Sequence, residues 1–515
     1  MHQLAHKQVL VIGLGASGQA AARLLRRRGA EVMAVDHADT AALRRVAQEL
    51  QALGIVVELG SPAAPKRLFD LAVLSPGVPS DHRLVRELRQ RGVPVISELE
   101  LGYQQARCLN IAITGTNGKT TTTELVAHIL NQCGRKTIAA GNIGLPVCEV
   151  VDRSKELDFL TLEVSSFQLE TIHYFRPSVG VLLNLTPDHL DRYATMADYV
   201  RAKARLFLNQ QPFDWAIVQS EALAQLRSLN LPLPAKLITF SANNRRADLV
   251  FERGLLISRL PDWTGPLLDL DESPIRGPHN AENLLAALAV GRVLRLPLEE
   301  MLAAIQSYRP APHRCEVVAE VRGVRFINDS KATNLDAVQK ALLSVPPRPG
   351  GEPNVWLLAG GKDKGFDFHD IGPLLSQRVK GALLFGETRE KIRAAWSLFT
   401  PCTVHETLLE AFADATQRAV PGDVVLLSPA CSSFDQFQNY QERGEAFRQA
   451  VAQWAAQPAA RVVTRSAVSS EGRIGPRRAA TDEPPPAAAS ERAMNETFAG
   501  TLPASAPAAE ANANN

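Results

Sequence analysis

The chain has no CxxC pair. Its six cysteines, at 108, 133, 148, 315, 402 and 431, are scattered through 515 residues. Such spacing builds neither a zinc ribbon nor a disulfide framework, and it suits a reducing compartment. No apolar run approaches the roughly 18 residues of a membrane helix. The opening MHQLAHKQVLVIG is a short strand-like run with no small-residue cleavage site. A soluble, cytoplasmic protein without membrane contact is expected. An excess of one charge is missing too: 56 Lys and Arg stand against 54 Asp and Glu, a formal net charge of +2. That balance gives nucleic acid little to bind, and none is expected as a partner. Basic runs such as Arg26-Arg27-Arg28 lie in a helical pattern and read as a solvated face. There is no short-period repeat.

What is present is alternation. Strand-like runs at Val9–Ile12, Val32–Val35, Ala72–Leu74, Ile111–Thr114, Phe159–Val164, Val179–Leu183, Val355–Leu358, Ala382–Phe385 and Val424–Leu427 are separated by helix-like segments. This is the pattern of βα units in parallel sheets, so the fold class expected is α/β. Three blocks restart on their own glycine-rich turn, at Gly13, Gly115 and Gly360, and the length accommodates three domains of about 150 residues. We expect a Rossmann-like domain over 1–103, a P-loop-type ATPase domain over 104–309 and a second Rossmann-like domain over 310–456. Tyr308-Arg309-Pro310-Ala311-Pro312 reads as a stiff linker between the last two. From Gln457 onward Ala, Pro, Ser, Glu and Arg dominate, and a segment with so little to bury is expected to be a disordered tail over 457–515.

The loops that follow the strands carry the chemistry. Gly13-Leu14-Gly15-Ala16-Ser17-Gly18 opens a helix at Gln19–Arg28, and Asp36 closes the next strand, where an acid commonly meets a ribose. Alone, this fits any dinucleotide enzyme. Ser75-Pro76-Gly77 offers a second loop on the same rim. Thr114-Gly115-Thr116-Asn117-Gly118-Lys119-Thr120-Thr121-Thr122 supplies backbone N–H groups, a lysine for β/γ charge and a hydroxyl for Mg²⁺. It departs from a strict Walker A sequence, because Ile113 stands where the first glycine would be. Glu163 ends a buried strand and could hold Mg²⁺. The loop from Asn184 to Tyr193, which contains Asp188 and His189, could carry metal or substrate contacts. Further on, Asn328–Asn334, Gly360–Gly365 and Ser428–Asp435 each follow a strand. In an open α/β sheet such loops line one crevice.

Together these residues resemble the Mur ligase family. The match includes Thr114–Thr122, Gly141-Asn142-Ile143-Gly144, Glu163–Ser166, Asp188-His189, Pro312-His313-Arg314 and Asn328–Asn334, and runs from about Lys7 to Ala455. Three features point to the member that adds D-glutamate to UDP-N-acetylmuramoyl-L-alanine: the N-terminal GxGxxG, the Gly360–Gly365 loop, and Ser428–Phe447 with Asp435-Gln436-Phe437 and Arg443-Gly444. The resemblance implies ATP and Mg²⁺ as cofactors, two small-molecule substrates and a monomer. It implies that Gly115, Thr116, Asn117, Gly118, Lys119, Thr120, Thr121, Asn280, Arg314 and Asp329 bind ATP. Thr120 and Glu163 would hold Mg²⁺; His189 and Lys203 would serve a second metal, with Lys203 as a carbamate. Lys119, Lys203 and His189 would be the catalytic set. Ser17, Asp36, Gly77, Asn142 and His189 would meet the UDP-substrate, and Thr333, Lys364, Ser433 and Tyr440 the glutamate. Two positions depart from the family: His37-Ala38 follows Asp36 in place of Thr or Ser then Arg, and Tyr440 stands where relatives often carry Phe.

The implied reaction is transfer of the γ-phosphoryl of ATP to the substrate carboxylate, then attack by the D-glutamate amine on the acyl-phosphate. It belongs to peptidoglycan precursor synthesis, and through it to cell shape and division. Residues from two blocks serve one reaction, so closure of the third domain upon ATP is expected. A Mur ligase using another amino acid, a nucleotide-dependent scaffold that does not ligate, and a nicotinamide dehydrogenase remain as alternatives. The last leaves the Lys119 loop unexplained.

Overall fold

The computed structural model describes residues 4–457, except Pro62, Leu190, Asp191, Arg276, Ala311, Pro349 and Lys364. The tail expected from composition lies, beyond Gln457, outside the described residues, as does the Lys364 assignment. Each of the three glycine-headed blocks builds its own sheet, and the α/β architecture expected from the alternation is present.

The first sheet has β1 (Gln8–Ile12), β2 (Glu31–Asp36), β3 (Val56–Leu59), β4 (Leu71–Leu74) and β5 (Val95–Ser97), all parallel in the order 3-2-1-4-5. The strand order reverses between β1 and β4, and both Gly13 and Gly77 follow strands that flank this switch point. The helix after β1 is Ala16–Arg27. Gly18 lets it pack closely, since a Cβ there would sit 1.8 Å from the Gly13 carbonyl oxygen.

The second sheet has β6 (Leu109–Thr114), β7 (Thr137–Gly141), β8 (Phe159–Glu163), β9 (Val179–Leu182), β10 (Trp215–Gln219), β11 (Lys236–Ser241), β12 (Leu249–Glu252), β13 (Leu255–Ser258) and β14 (Gly265–Asp269). Its order is 14-13-12-11-10-9-6-8-7. Its last two strands are antiparallel additions that the alternation does not announce. They turn on Arg253-Gly254, both at positive φ (51° and 87°), a two-residue hairpin geometry. The third sheet has β15 (Glu316–Val321), β16 (Val324–Asn328), β17 (Val355–Gly360), β18 (Val379–Phe385), β19 (Cys402–Val404) and β20 (Val424–Ala430), ordered 15-16-20-17-18-19. Only β15 is antiparallel, joined to β16 through Arg322-Gly323, again at positive φ.

Apolar clusters cover both faces of each sheet, as parallel sheets require. The helix Glu98–Gln105 couples the first two: Leu99 packs into the core of the second sheet and Leu101 into that of the first. It also runs across the boundary placed at 103. Among the described residues no helix is long and apolar enough to cross a membrane.

The helix Tyr440–Ala456 closes the third domain, and its cap Gln457 accepts a hydrogen bond from Arg322. Deleting Gln457–Asn515 is expected to leave activity within about twofold, under 1 kcal/mol on the barrier. Steady-state rates of the truncated chain check this; a large loss in a chain that still folds refutes it.

Candidate active site

Strand register sets the site. Ile113 is paired with Glu163, and Glu163 with Gly141, so the ends of β6, β8 and β7 lie level. The loop 115–118 leaves β6 and enters the helix Lys119–Gln132. Gly118 takes φ 82°, and a Cβ there would come within 2.3 Å of Asn283 Oδ1; both the backbone and the space require glycine. Asn184, just past β9, clamps the loop. Its carbonyl accepts from the Thr116 amide at 2.9 Å, its Oδ1 from the Asn117 amide at 2.8 Å, and its Nδ2 donates to the Asn117 carbonyl at 3.0 Å.

Two lysines converge on this loop. Lys119 Nζ donates to the carbonyls of Gly115 (3.0 Å) and Thr116 (2.7 Å). Lys203, on the helix Met196–Ala204, donates to the same Gly115 carbonyl at 2.8 Å. Lys203 is only 2% exposed and lies over the Tyr199 ring. Burial, then the Lys119 charge, pull its pKa well below the usual lysine value, against Asp188 and Glu163, which raise it.

Glu163 is buried, with one oxygen accepting from Thr120 Oγ1 at 2.6 Å and the other from Asn142 Nδ2 at 2.8 Å. Burial pushes its pKa up, but the Lys119 charge and those two hydrogen bonds more than offset this, and the carboxyl is held below its ordinary value. A hydroxyl and a carboxylate side by side are hard oxygen donors that fit Mg²⁺, which commonly takes one or two protein ligands and completes its shell with phosphate and water. Among the described residues no cluster of three or more His, Cys, Asp or Glu could hold a metal, so a cation here would rely on substrate oxygens. His189 takes φ 55° and packs its ring against Phe167; its amide donates to Asp188 Oδ1 at 3.0 Å.

The third sheet faces this cluster. Asn328 is level with Leu427, and Gly360 with Ala430, so its three motif loops leave from one edge. A cleft of about 270 Å³ opens between the sheets. Thr116–Thr121, Asn142, Glu163, His189 and Asn280 line it from one side, and Arg314, Asp329, Lys331, Thr333 and Asn334 from the other. Asp329 is buried and its carboxyl is pushed up to about 7; burial is the main cause, opposed by hydrogen bonds from Ser428 Oγ and the Cys315 amide. A smaller recess of about 160 Å³, lined by Ser165, Ser166, Phe167, Tyr199 and Lys203, shares Lys119, Asn142 and His189 with the cleft.

Of the residues assigned to glutamate, Thr333 lines the cleft. Tyr440 stands beside it, its ring 3.8 Å from Lys331 Nζ and edge-on to His313. Ser433 is buried and is not among the lining residues. On the first sheet a recess of about 300 Å³ is lined by Gly13, His37, Ser61, Gly77 and Val78, without Ser17 or Asp36. Asp36 instead secures the glycine turn, accepting from the amides of Leu14 (2.8 Å) and Ala38 (3.0 Å). Arg192 joins this rim to the central cluster: it donates to the carbonyls of Pro76 and Val78 and lies 3.8 Å over the Phe167 ring.

Arg443 was legible only as part of a motif. It is fully buried, donating from Nε to Ser330 Oγ and from its terminal nitrogens to the carbonyls of Ser330 and Cys431. It thereby pins two of the three cleft loops. Replacing Arg443 by Met orphans buried carbonyls, at about 1–3 kcal/mol each. Faster amide hydrogen exchange over 328–334 and 428–435 is the expected readout.

Comparisons with known proteins cover the same three blocks. The Mur ligase MurD-like N-terminal domain matches residues 7–97, the Mur ligase middle domain 113–291, and the Mur ligase glutamate ligase domain 313–431. A UDP-N-acetylmuramoylalanine--D-glutamate ligase of Acidobacterium capsulatum is 43% identical, covering 87% of this chain and 97% of that one. Another, of Pelotomaculum thermopropionicum, is 41% identical, covering 86% and 97%. Among solved structures, MurF from Thermotoga maritima in complex with ADP aligns with TM-score 0.56 at 18% identity, covering 88% of this chain and all of that one. MurC from the same organism gives 0.55 at 19%, covering 87% and 99%. At such identities the structural likeness is one of fold.

Proposed function

We propose, from the premise that the chain belongs to the Mur ligase family, that it joins D-glutamate to the L-alanine carboxyl of UDP-N-acetylmuramoyl-L-alanine with consumption of ATP. It does so as a cytoplasmic monomer that supplies peptidoglycan precursor. The observation that carries the chemistry is the meeting of two recesses at Lys119, Asn142 and His189. A phosphate seated on the loop 115–118 and a carboxylate entering by the smaller recess would meet there.

In this reading the N–H groups of the loop and the N-terminus of the helix Lys119–Gln132 receive the triphosphate, and Lys119 turns from its own loop carbonyls to the β/γ oxygens. Thr120 and Glu163 would hold Mg²⁺, which supplies charge neutralisation to the transferring phosphoryl group. Asn280, Arg314 and Asp329 would receive the rest of the nucleotide. The rim at Gly77 and the turn at Ser17 would hold the diphosphate of the other substrate, with Arg192 setting the span from that rim to His189. The carboxylate attacks the γ-phosphorus and ADP leaves. The amine of D-glutamate, held near Thr333, Tyr440, Ser433 and Lys364, then attacks the acyl carbon and expels phosphate. Both steps need water kept out, which favours a site enclosed between two sheets.

The test is a panel of amino acids with UDP-N-acetylmuramoyl-L-alanine and MgATP, read by product mass and phosphate release. The expected product is the D-glutamate adduct. Ligation of a different amino acid would move the chain to another activity of the family, and phosphate release indifferent to every amino acid would mark a scaffold.

A further inference from the structure

We propose that Asp336 and Lys340 are positioning residues for the nucleotide, a charge-balanced latch through which the third sheet fixes Asn117 of the phosphate loop; the inference rests on the function proposed above. The Asn117 main chain is already held from the second sheet by Asn184. Its side chain is directed elsewhere. Asn117 Nδ2 donates to Asp336 Oδ2 and to Asn334 Oδ1, and Asn117 Oδ1 accepts from Asn334 Nδ2. Asn334 caps the helix Leu335–Ser344, its Oδ1 accepting from the Ala337 amide at 2.9 Å, so the latch grips the helix start.

A carboxylate beside a phosphate loop would repel the polyanion it serves unless its charge were balanced. Lys340, one helical turn on, supplies that balance: its Nζ lies 2.9 Å from the same Asp336 oxygen, in the favoured acid-before-base order. Lys340 lines the nucleotide cleft together with Asn117 and Asn334. Its charge also reaches Glu282, a buried acid on the helix Pro278–Val293 of the second sheet; burial raises that acid's pKa, while a Gln219 hydrogen bond and Lys340 lower it. Lys340 therefore stands between carboxylates from both sheets. Losing it leaves negative charge facing the phosphates; losing the Asp336 charge as well removes most of that harm.

The experiment measures ATP affinity by calorimetry and KM for ATP, the UDP-substrate and the amino acid, in Asp336→Asn, Asp336→Ala, Lys340→Ala and the double variant Asp336→Asn/Lys340→Ala. Asp336→Asn keeps an oxygen for Asn117 and is expected within about threefold of the parent. Asp336→Ala is expected to lose about tenfold in kcat/KM for ATP, with KM for the amino acid unchanged. Lys340→Ala is expected to weaken ATP binding about tenfold, and the double variant to recover most of that loss. A double variant as weak as Lys340→Ala, or equal damage to all three KM values, overturns the proposal. Direct ATP binding separates this result from the function: a parent chain that binds ATP but ligates no D-glutamate would sink the activity and leave the latch standing.

Discussion

Replacing Lys119 by alanine is expected to abolish ligation while the chain still folds. Lys119 opens the helix after β6, and in the structure its ammonium satisfies only the carbonyls of its own loop, Gly115 and Thr116. Those carbonyls border a solvent-filled cleft, so water can replace the lost donor and the fold is spared. Catalysis has no such substitute. Phosphoryl transfer gains from charge fixed in advance where negative charge develops, and one donor of this kind in an enclosed site is worth about 3–4 kcal/mol, a few hundredfold to a thousandfold in rate. The measurement is product mass over time with an unfolding curve beside it. Near-normal turnover would mean that this loop is not where ATP reacts.

Lys203→Ala is expected to lose most activity and to regain part of it with formate or acetate. A buried ammonium with a reference pKa of about 10.4 would repel both Mg²⁺ and Lys119. The site instead favours the neutral amine through burial and through Lys119, with which Lys203 shares the Gly115 carbonyl. A neutral amine adds CO₂ and loses a proton, giving a carbamate: an anionic oxygen ligand on a long stem, in a recess that also holds His189. Added small carboxylates would occupy the space left by the shortened side chain. Lys203→Arg should be inactive, since a guanidinium keeps its charge and forms no such ligand. Full activity of that variant would remove the carbamate from the mechanism.

Much of the fold was legible because parallel sheets buried on both faces leave plain apolar runs, as in Ile111–Thr114 and Val424–Leu427. Strand ends were less so. β20 continues through Ser428, Pro429 and Ala430, residues with poor strand propensity, because Gly360 of β17 pairs with Ala430 across the sheet. The antiparallel strands β13, β14 and β15 escaped notice for want of attention to Arg253-Gly254 and Arg322-Gly323, whose paired positive φ values make tight hairpins. At the site, residues on strand-end loops declared themselves by type. Those that act across sheets did not: Asn184 gripping the phosphate loop, Asp336 reaching Asn117 and Arg443 pinning Ser330 to Cys431 depend on contacts between residues distant in the chain. Asp36 shows the converse, an acid in the expected place whose oxygens go to its own turn.

The loops proposed for the incoming amino acid leave one edge of the third sheet, while the phosphate loop and both lysines belong wholly to the second. Selection of the amine and activation of the acid are thus inherited on separate pieces of chain. Drift in the 328–334, 360–365 and 428–435 loops can change what is added without disturbing how it is energised, provided the few side chains that cross the cleft keep their partners. An exchange of the third domain between relatives would be expected to transfer amino-acid preference most cleanly when Asn117, Asn334 and Asp336 are retained at the seam.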